Sequence, residues 1–433
     1  MKKVAFCTLG CKVNQYETNA MEKSFIEAGY EVVPFSDIAD VYVINTCTVT
    51  GVGDKKSRQM IRRAKKNNEK AIVAAVGCMA QVAKDDVLKI KEADIVLGNN
   101  QKQKIVECVT RAMEEKQQIS LVEDVMLDTA FEETPLDGFS GKDRAYIKIQ
   151  DGCNKFCSYC IIPYARGHIR SRSIENIKKE ATRLAENGFF EVTLTGIHVA
   201  SYRDADGNTL ADVIKVVSEI SKIARIRLSS IDPLAFTDEF IEKIKDVKKL
   251  CPHFHISLQS GSDKILSYMN RRYTTAKFSE TVRKLRSVFP DLSVTTDIIT
   301  GFPYETDKEF RETYKFLEEI ALSGMHVFPY SERKGTPAAT FPEKVEKSVR
   351  DSRAKEIAGL AQKQKSAFAK RFVGRVMPIL FEEGNKKDEY AGFTENYVRV
   401  FASSDKKITG KILPVKMLFE KDGELYGEIA NQL

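Results

Sequence analysis

The first 115 residues alternate short, β-rich apolar runs with longer segments whose apolar residues recur at helical spacing. The β-rich runs are Val4–Leu9, Val41–Thr46, Ala71–Val76 and Asp94–Gly98. The helical segments are Gln15–Ala28, Gly53–Asn67 and Gln101–Glu115. Strands that alternate with helices in this way form parallel sheets with helices on both faces. The pattern therefore predicts an α/β domain with a doubly wound parallel sheet.

A second series of alternating segments begins at Arg144 and continues to about Thr336. Active sites of (β/α) barrels lie at the C-terminal ends of the strands, and six βα units make most of such a barrel. We therefore predict a partial (β/α)6 barrel, closed by the long helical pattern Glu343–Arg371. The predicted strands are Tyr146–Gln150, Glu191–Thr195, Arg225–Ser229, His255–Leu258, Ser293–Ile298 and His326–Tyr330, and the helices include Ile174–Asn187, Leu210–Ile223, Thr275–Val288 and Asp307–Leu322.

The C-terminal region contains only short β-rich runs separated by turn residues, which indicates a small all-β barrel or sandwich. Upstream, the segment 117–141 has no Lys or Arg, and its sequence TPLDG is a turn signal. We therefore divide the chain into a domain at 1–115, a linker at 116–143, a barrel at 144–371 and a C-terminal domain at 372–433. The predicted C-terminal strands are Val376–Phe381, Tyr397–Phe401, Ile412–Phe419 and Leu425–Ile429.

The composition is that of an ordinary soluble globular protein. Of the 433 residues, 42% are hydrophobic and 30% are charged, and no apolar run approaches the ~18 residues that a transmembrane helix needs. The N-terminus lacks the apolar core of a signal peptide. We therefore expect a cytoplasmic protein without membrane contact. Nine cysteines in such a chain favour metal binding or catalysis over disulfides.

Three cysteines follow the first predicted strand of the barrel at CxxxCxxC spacing: Cys153, Cys157 and Cys160. Three thiolates on one short loop can hold three irons of a cubane cluster and leave the fourth iron open. Zinc is the alternative, but structural zinc takes four ligands. His168 is the one nearby candidate for a fourth ligand. The spacing thus favours an iron–sulfur cluster.

Three further cysteines each follow a predicted strand of the N-terminal sheet: Cys11, Cys47 and Cys78. All three are expected at the C-terminal edge of that sheet, where ligand sites of open α/β sheets lie. Any one of them alone is compatible with a plain buried thiol. Three at equivalent strand ends predict a second cubane cluster with one open iron. The remaining cysteines are interpreted as structural: Cys7, Cys108 and Cys251.

Positive charge is concentrated between Lys55 and Lys70, where eight basic residues accompany a single acid, Glu69. Such a run forms either a solvated helix face or a surface for RNA phosphates. The net charge of +7 suits an acidic partner such as RNA. The C-terminal domain, by contrast, carries nearly equal numbers of acidic and basic residues.

The stretch GCNKFCSYCIIPYARG, which starts at Gly152, resembles the cluster loop of radical S-adenosylmethionine (SAM) enzymes. Within that superfamily the chain is similar to the methylthiotransferases, which install a methylthio group on tRNA adenosines or on a ribosomal protein. The resemblance covers nearly the whole chain, and the C-terminal strands resemble the TRAM module, an RNA-binding β-barrel. Further matching stretches are TLGCKVNQYET, VINTCTVT, AVGCMAQ, LTGIHVASY, HISLQSGSDKILSYMNRRYT and DIITGFPYETDKEF.

The resemblance implies SAM and two 4Fe–4S clusters, one in each set of three cysteines. SAM would bind the open iron of the cluster held by the barrel loop. Tyr159 would lie against the SAM adenine, and Thr195 and Gly196 would meet its methionine amine and carboxylate. Four further residues near the expected barrel mouth are ribose or substrate candidates, or else polar residues that line the barrel: Ser230, Ser257, Gln259 and Asp297.

The family uses one SAM to methylate a sulfur at the N-terminal cluster and a second to generate the radical. The implied partners are the tRNA anticodon stem-loop, an electron donor such as flavodoxin or ferredoxin, and a sulfur donor. The opening GCKVNQYET looks like the subgroup that methylthiolates C2 of N6-threonylcarbamoyladenosine at tRNA position 37. Alternatives are the isopentenyladenosine tRNA enzyme, the ribosomal-protein enzyme and a non-catalytic iron–sulfur RNA-binding protein.

A pocket for the threonylcarbamoyl group needs a cation, because a buried unpaired carboxylate is strongly disfavoured. The sequence offers several cations in loops near the expected strand ends. Most are interpreted as phosphate contacts or solvated charges. The candidates are Arg166, Arg170, Arg172, Arg203, Arg271, Arg272, Arg333 and Lys334.

Overall fold

A computed structural model of the chain describes residues 1–134, 136, 138, 143–382, 384 and 388–430. Parts of the predicted linker and of the C-terminal domain lie outside these ranges. Within them the chain forms an N-terminal parallel sheet, two three-stranded parallel sheets and a closed five-stranded barrel. No helix in these ranges is long and apolar enough to span a membrane.

The N-terminal sheet has six parallel strands in the order β2-β1-β3-β4-β5-β6. Helices α1 and α5 pack on one face through Phe25 and Val109, and α2 to α4 pack on the other through Ile61 and Val87. The predicted doubly wound sheet is confirmed. Its elements are β1 (Lys3–Thr8), α1 (Lys12–Glu27), β2 (Glu31–Val33), β3 (Val41–Thr46), α2 (Gly51–Asn67), β4 (Ile72–Gly77), α3 (Cys78–Val82), α4 (Lys84–Leu88), β5 (Ile95–Leu97), α5 (Ile105–Glu115) and β6 (Ile119–Leu121).

The two edge strands, β2 and β6, are absent from the sequence prediction. Each is three residues long, too short for an alternating pattern to be recognised. Strand β6 pairs with β5 through Ile119 and Ile95, so the sheet continues into the segment that we assigned to the linker.

The central domain is an open arc of six parallel strands in the order β7-β10-β11-β12-β13-β14. Its two three-stranded sheets are joined by isolated parallel bridges, such as that between Ile231 and Ile256. The predicted partial (β/α)6 barrel is confirmed. Its elements are β7 (Arg144–Lys148), β8 (Gln150–Asp151), α6 (Ile162–Arg166), β9 (Arg170–Ser171), α7 (Ile174–Glu186), β10 (Glu191–Thr195), α8 (Leu210–Ser218), β11 (Arg225–Leu228), α9 (Asp238–Ile244), β12 (His253–His255), α10 (Asp263–Tyr268), α11 (Thr275–Val288), β13 (Ser293–Thr300), α12 (Asp307–Ile320), β14 (Gly324–Pro329) and α13 (Lys347–Lys370).

The N-terminal domain covers the gap in this arc. Tyr16 of α1 is buried within the hydrophobic core of the barrel domain, and its hydroxyl donates to Glu180 of α7. At the other edge, Arg333 follows β14 and binds Thr48 and Asp54 of the N-terminal domain. Both edges of the arc are therefore fixed to the N-terminal sheet.

The C-terminal domain is a closed barrel with the strand order β15-β16-β17-β19-β18. The predicted all-β module is confirmed, although β16 was missed because it follows a charged, turn-rich stretch. Its buried core includes Phe372, Val400 and Val415. The strands are β15 (Val376–Phe381), β16 (Glu389–Phe393), β17 (Arg399–Ser403), β18 (Ile412–Lys421) and β19 (Glu424–Ile429).

The C-terminal barrel docks on the central domain through two arginines of β11. Arg225 donates to the backbone carbonyls of Pro378 (2.7 Å) and Phe393 (3.0 Å). Arg227 donates to the carbonyls of Thr394 and Glu395, both at 2.8 Å. Both arginine side chains are almost fully buried, so the two domains form a tight junction.

Candidate active site

The cluster loop connects β8 to β9, two short antiparallel strands that pair Gln150 with Ser171. Gly152 begins the loop at a φ of +71°, and a Cβ there would lie 1.8 Å from the carbonyl oxygen of His168. Only glycine permits this approach. The backbone N–H of Cys153 donates to the carbonyl of Gly167 (3.0 Å), which closes the loop.

The three thiols of this loop affect one another electrostatically. Burial raises the pKa of Cys160 to about 12, and the thiolates of Cys157 and Cys153 add to this shift. Arg271 Nη1 donates to Cys157 Sγ (3.2 Å), and the N–H of Lys155 lies 3.5 Å from Cys153 Sγ. Thiols this close raise one another's pKa, and an adjacent cation favours their thiolate form. The donor set therefore fits an iron–sulfur cluster.

The proposed fourth zinc ligand is engaged elsewhere. His168 is exposed, and its Nδ1 lies 2.9 Å from the side-chain oxygen of Asn154. This placement weakens the zinc alternative.

The N-terminal cysteines occupy the strand ends as predicted. Cys11 lies between β1 and α1, Cys47 follows β3, and Cys78 begins α3 directly after β4. Burial is the largest cause that raises the pKa of Cys47 to about 11, and the thiolates of Cys78 and Cys11 contribute to the same rise. A Cβ at Gly10 would lie 2.9 Å from Cys47 Sγ, so glycine keeps the space between these thiols open.

No three His, Cys, Asp or Glu side chains within the described ranges already stand in metal-ligand geometry. The two cysteine sets are defined instead by their strand-end positions and by the mutual effects of their thiols. A link between them is provided by Asn99. Its Nδ2 donates to the carbonyl of Ala165 in α6 (2.6 Å) and lies 3.6 Å from Cys78 Sγ. One side chain thus joins the N-terminal cysteines to the helix that follows the barrel loop.

Two of the predicted SAM-binding positions are defined by their backbone. Gly196 follows Thr195 at the end of β10, and a Cβ there would lie 2.8 Å from the carbonyl of Gln150. Gln259 has a φ of +73°, a left-handed conformation that is uncommon outside glycine and often found at functional sites. Both features lie at C-terminal strand ends, where the barrel mouth was expected.

The other predicted positions differ in how deeply they lie in the barrel. Tyr159 packs edge-on against Phe302 with ring centroids 6.4 Å apart, and Ser230 is exposed after β11. The carbonyl of Ser257 accepts the Tyr273 hydroxyl (2.6 Å). Asp297, however, lies in the middle of β13, inside the barrel rather than at its mouth.

His198 is a candidate that the sequence did not single out. Both of its ring nitrogens are buried without a hydrogen-bond partner in the part of the chain that the structure describes. Burial lowers its pKa to about 4, so the ring is neutral at physiological pH. The sequence signal that could have identified His198 was its position two residues after Gly196.

Two arginines proposed as substrate cations instead form buried ion pairs. Arg166 donates to Glu17 (2.7 Å) and to Asn14 (2.7 Å), and Arg172 binds Glu133 and Glu180. Glu17 also binds Lys148 (2.9 Å) and Lys102. Glu17 is therefore the centre of a buried network that joins the N-terminal domain to the barrel.

We expect Glu17→Gln to lower the free energy of unfolding by about 3–5 kcal/mol, because it leaves three buried cations without their shared carboxylate. Urea unfolding would measure the loss, with Glu27→Gln, an exposed change on the same helix, as the control. Similar midpoints for the two variants would contradict the prediction.

The same network predicts a pH dependence. Burial alone would raise the pKa of Glu17, but the charges of Arg166, Lys102 and Lys148 outweigh it and hold the pKa well below its usual value. The stabilisation is therefore present at neutral pH and is lost as the pH falls through this depressed value. The stability difference between the wild type and Glu17→Gln should shrink accordingly in acid.

The comparisons with known proteins agree with this geometry. Residues 147–317 match the family model of the radical SAM superfamily, and residues 3–98 match a family described as uncharacterized protein family UPF0004. A solved structure of the radical SAM methyltransferase TsrM from Kitasatospora setae is similar in fold, with a TM-score of 0.57 at 14% identity, covering 78% of this chain and 77% of that one. Fold and cluster loop together define a radical SAM enzyme.

Relatives that match over nearly their full length show which family of radical SAM enzymes the chain belongs to. The chain is 42% identical to threonylcarbamoyladenosine tRNA methylthiotransferase MtaB of Bacillus subtilis, covering 99% of this chain and 96% of the relative. The protein of the same name from Aquifex aeolicus is 40% identical, with coverage of 95% and 99%. The tRNA-2-methylthio-N(6)-dimethylallyladenosine synthase of Alkaliphilus oremlandii is 32% identical, with coverage of 100% and 93%. The chain belongs to the radical SAM tRNA methylthiotransferase family.

Proposed function

We propose that this enzyme adds a methylthio group to C2 of N6-threonylcarbamoyladenosine at position 37 of tRNA, using SAM and two 4Fe–4S clusters. The observation that carries the proposal is the contact of Asn99 with both Cys78 and the helix after the cluster loop. Two cysteine sets joined in this way can serve one substrate. Attack on an aromatic C–H and delivery of sulfur are separate tasks, which gives each set a role.

Cys153, Cys157 and Cys160 would hold the cluster that binds SAM, and Cys11, Cys47 and Cys78 would hold the other. The cluster that binds SAM would supply the electron that cleaves it to a deoxyadenosyl radical. The protein side chains position the reactants. Arg271 holds Cys157, and Gly196 leaves space beside the Gln150 backbone where a larger residue would clash.

The basic helix α2 is proposed to contact tRNA phosphates. Lys55, Lys56, Arg62 and Arg63 are exposed on it, whereas Lys65 is paired with Asp94 (2.8 Å). The helix begins four residues after Cys47, so its first turn borders the N-terminal cysteine set and its other charges extend away from that set along the helix. Exposed cations beside an active site increase affinity for an RNA backbone.

The chemistry also requires partners that supply electrons and sulfur. We propose an electron donor such as flavodoxin or ferredoxin, since cleavage of SAM consumes one electron. SAM provides only the methyl group, so a sulfur donor is also required. A tRNA substrate favours a cytoplasmic location.

We expect methylthiolation of tRNA that bears threonylcarbamoyladenosine, and little turnover of tRNA that bears isopentenyladenosine. The relatives of 42% and 40% identity are named for the first nucleoside, which supports this choice. The first substituent carries a carboxylate, whereas the second is a small apolar tail. One pocket rarely suits both, because an unpaired buried charge is costly.

An anaerobic assay with both tRNAs, followed by mass spectrometry of the nucleosides, measures this preference. Unmodified tRNA is the control for position 37. Faster turnover of the isopentenyl tRNA would contradict the substrate assignment and leave the radical chemistry intact.

A further inference from the structure

The side chain of Asn99 is enclosed between the N-terminal domain and the barrel domain. It is 8% exposed and belongs to the first residue of a short 3₁₀-helix, Asn99–Lys104, which follows β5. Its Nδ2 lies 2.6 Å from the carbonyl oxygen of Ala165 and 3.6 Å from Cys78 Sγ. A side-chain amide has two N–H groups, so Asn99 can donate one to each of these acceptors.

The orientation of the Asn99 amide is fixed by its oxygen. Lys102 Nζ lies 2.8 Å from Asn99 Oδ1. An ammonium group only donates hydrogen bonds, so it must face the oxygen of the amide and not its nitrogen. Lys102 is itself held by an ion pair with Glu17. The N–H groups of Asn99 must therefore face Cys78 and Ala165.

The backbone at Asn99 is held as firmly as its side chain. Gln81 Oε1 accepts the backbone N–H of Asn99 (2.9 Å), and the N–H of Gly98 donates to the carbonyl of Leu121 (2.8 Å). A Cβ at Gly98 would clash with Gln81 Oε1, so glycine at this position lets Gln81 reach Asn99. The donor that faces Cys78 is therefore preorganised by the surrounding structure.

The other two thiols of the N-terminal set have backbone donors instead. Burial raises the pKa of both Cys11 and Cys47. Backbone N–H groups, of Asn14 and of Val49 respectively, hydrogen-bond to these sulfurs and partly offset the rise. Asn99 is the only side chain in the described ranges that donates to a sulfur of this set. It is thus the one donor of the three that a substitution can remove.

Hydrogen bonds to the sulfurs of an iron–sulfur cluster are one of the factors that set its reduction potential. Reduction adds one negative charge to the cluster and its thiolate ligands. An N–H group that faces a ligand sulfur therefore stabilises the reduced state more than the oxidised state, and the potential rises. Groups that contact metal ligands in this way adjust the properties of the metal site.

We propose that Asn99 is a positioning residue that raises the reduction potential of the N-terminal cluster through its hydrogen bond to Cys78. The inference rests on the proposed function, which assigns a 4Fe–4S cluster to the N-terminal cysteine set. It goes beyond that function because it gives a side chain outside the cysteine set control over the redox properties of the cluster.

A purely structural role for Asn99 would depend on its other hydrogen bond. Ala165 lies in α6, and two residues later the carbonyl of Gly167 accepts the N–H of Cys153 (3.0 Å). Loss of the bond to Ala165 would disturb this barrel segment without removing a donor from an N-terminal sulfur. The potential of the N-terminal cluster therefore distinguishes the two roles.

The test measures this potential in the full-length Cys157→Ala protein, in which the paramagnetic resonance signal should come from the N-terminal cluster alone. We expect Asn99→Leu in this background to lower the equilibrium constant for reduction about tenfold, because it removes a hydrogen bond to a charged group. For a one-electron couple this is a fall of about 59 mV in the midpoint potential.

Asn99→Asp is the second variant, because it keeps the size of the side chain and an acceptor for Lys102. It replaces the donor with a carboxylate, so it should lower the potential at least as far as Asn99→Leu. Asn100→Leu is the matched control. It removes the adjacent amide, which donates to Asp128 (3.2 Å), and it should leave the potential unchanged.

Pulsed paramagnetic resonance detects the hydrogen bond itself. In the Cys157→Ala protein labelled with ¹⁵N-asparagine, we expect a coupling between the reduced cluster and an asparagine nitrogen. Asn99→Leu should remove this coupling, and Asn100→Leu should retain it. Iron content and circular dichroism of each variant establish that the cluster and the fold are intact.

An unchanged potential in Asn99→Leu and Asn99→Asp, with the iron of the N-terminal cluster retained, would overturn the inference. An equal fall in Asn100→Leu would also overturn it, since the effect would then be general to this segment. If neither Asn99 variant retains its iron, the labelled protein with Asn99 intact decides, and the absence of an asparagine coupling there would contradict the proposal. Failure of the proposed function is distinguishable, because Cys157→Ala would then contain no N-terminal cluster to measure.

Discussion

Replacing Cys11, Cys47 and Cys78 together with alanine is expected to abolish methylthio transfer and to leave cleavage of SAM by the reduced protein in place. The three cysteines lie at the ends of β1, β3 and β4, in a domain separate from the barrel loop. Their removal takes away the proposed sulfur site without changing a residue of that loop. The triple variant should therefore lose methylthio transfer and keep SAM cleavage.

Iron analysis gives an independent measure of the same prediction. Two cubane clusters contain about eight irons, so the triple variant should retain about four. Cys108→Ala is the control, because Cys108 is a buried core residue of α5. Full iron content or continued product formation in the triple variant would remove the case for a second cluster.

Cys157→Ala is expected to have the reciprocal effect, with SAM cleavage reduced to background and about four irons retained in the N-terminal domain. Cys157 is buried, and its sulfur accepts the hydrogen bond from Arg271. Alanine removes one of three thiol ligands, and water cannot replace it easily in a site this enclosed.

Deoxyadenosine release from reduced protein measures the outcome, with the triple N-terminal variant as the comparison. If Cys157→Ala released deoxyadenosine at the wild-type rate, this loop would not bind the SAM-cleaving cluster. Each variant should retain the cluster that the other variant loses. A variant that has lost both clusters has therefore lost its fold.

The long elements of the fold were predictable because they carry enough residues to show a period. Strands β3, β10 and β15 and helix α11 have the predicted bounds, since each combines a clear apolar pattern with turn or capping residues at its ends. The three-residue strands β2 and β6 were missed, because pairing with a neighbour, rather than their own pattern, makes them strands.

The residues of the candidate site also divide into those that the sequence could identify and those that it could not. Cysteine spacing and strand-end positions identified both thiol sets, as these are local properties of the chain. The burial of both ring nitrogens of His198 became visible only in the folded barrel, because the residues that enclose the ring are distant in sequence. Arg166 was proposed as a substrate cation because its carboxylate partner, Glu17, lies 149 residues away in the sequence. The partner of Arg172, Glu180, lies only eight residues further along, and the pairing depends on how helix α7 packs.

The junction between the barrel and the C-terminal module has a consequence for protein engineering. Arg225 and Arg227 donate hydrogen bonds to four main-chain oxygens of the module. Every amino acid offers the same oxygen, so residues at those positions can be exchanged without losing these four hydrogen bonds. Grafting a foreign module would depend on reproducing the path of the backbone, together with an aromatic ring in the place of Tyr397, which stacks on His253 of the barrel domain.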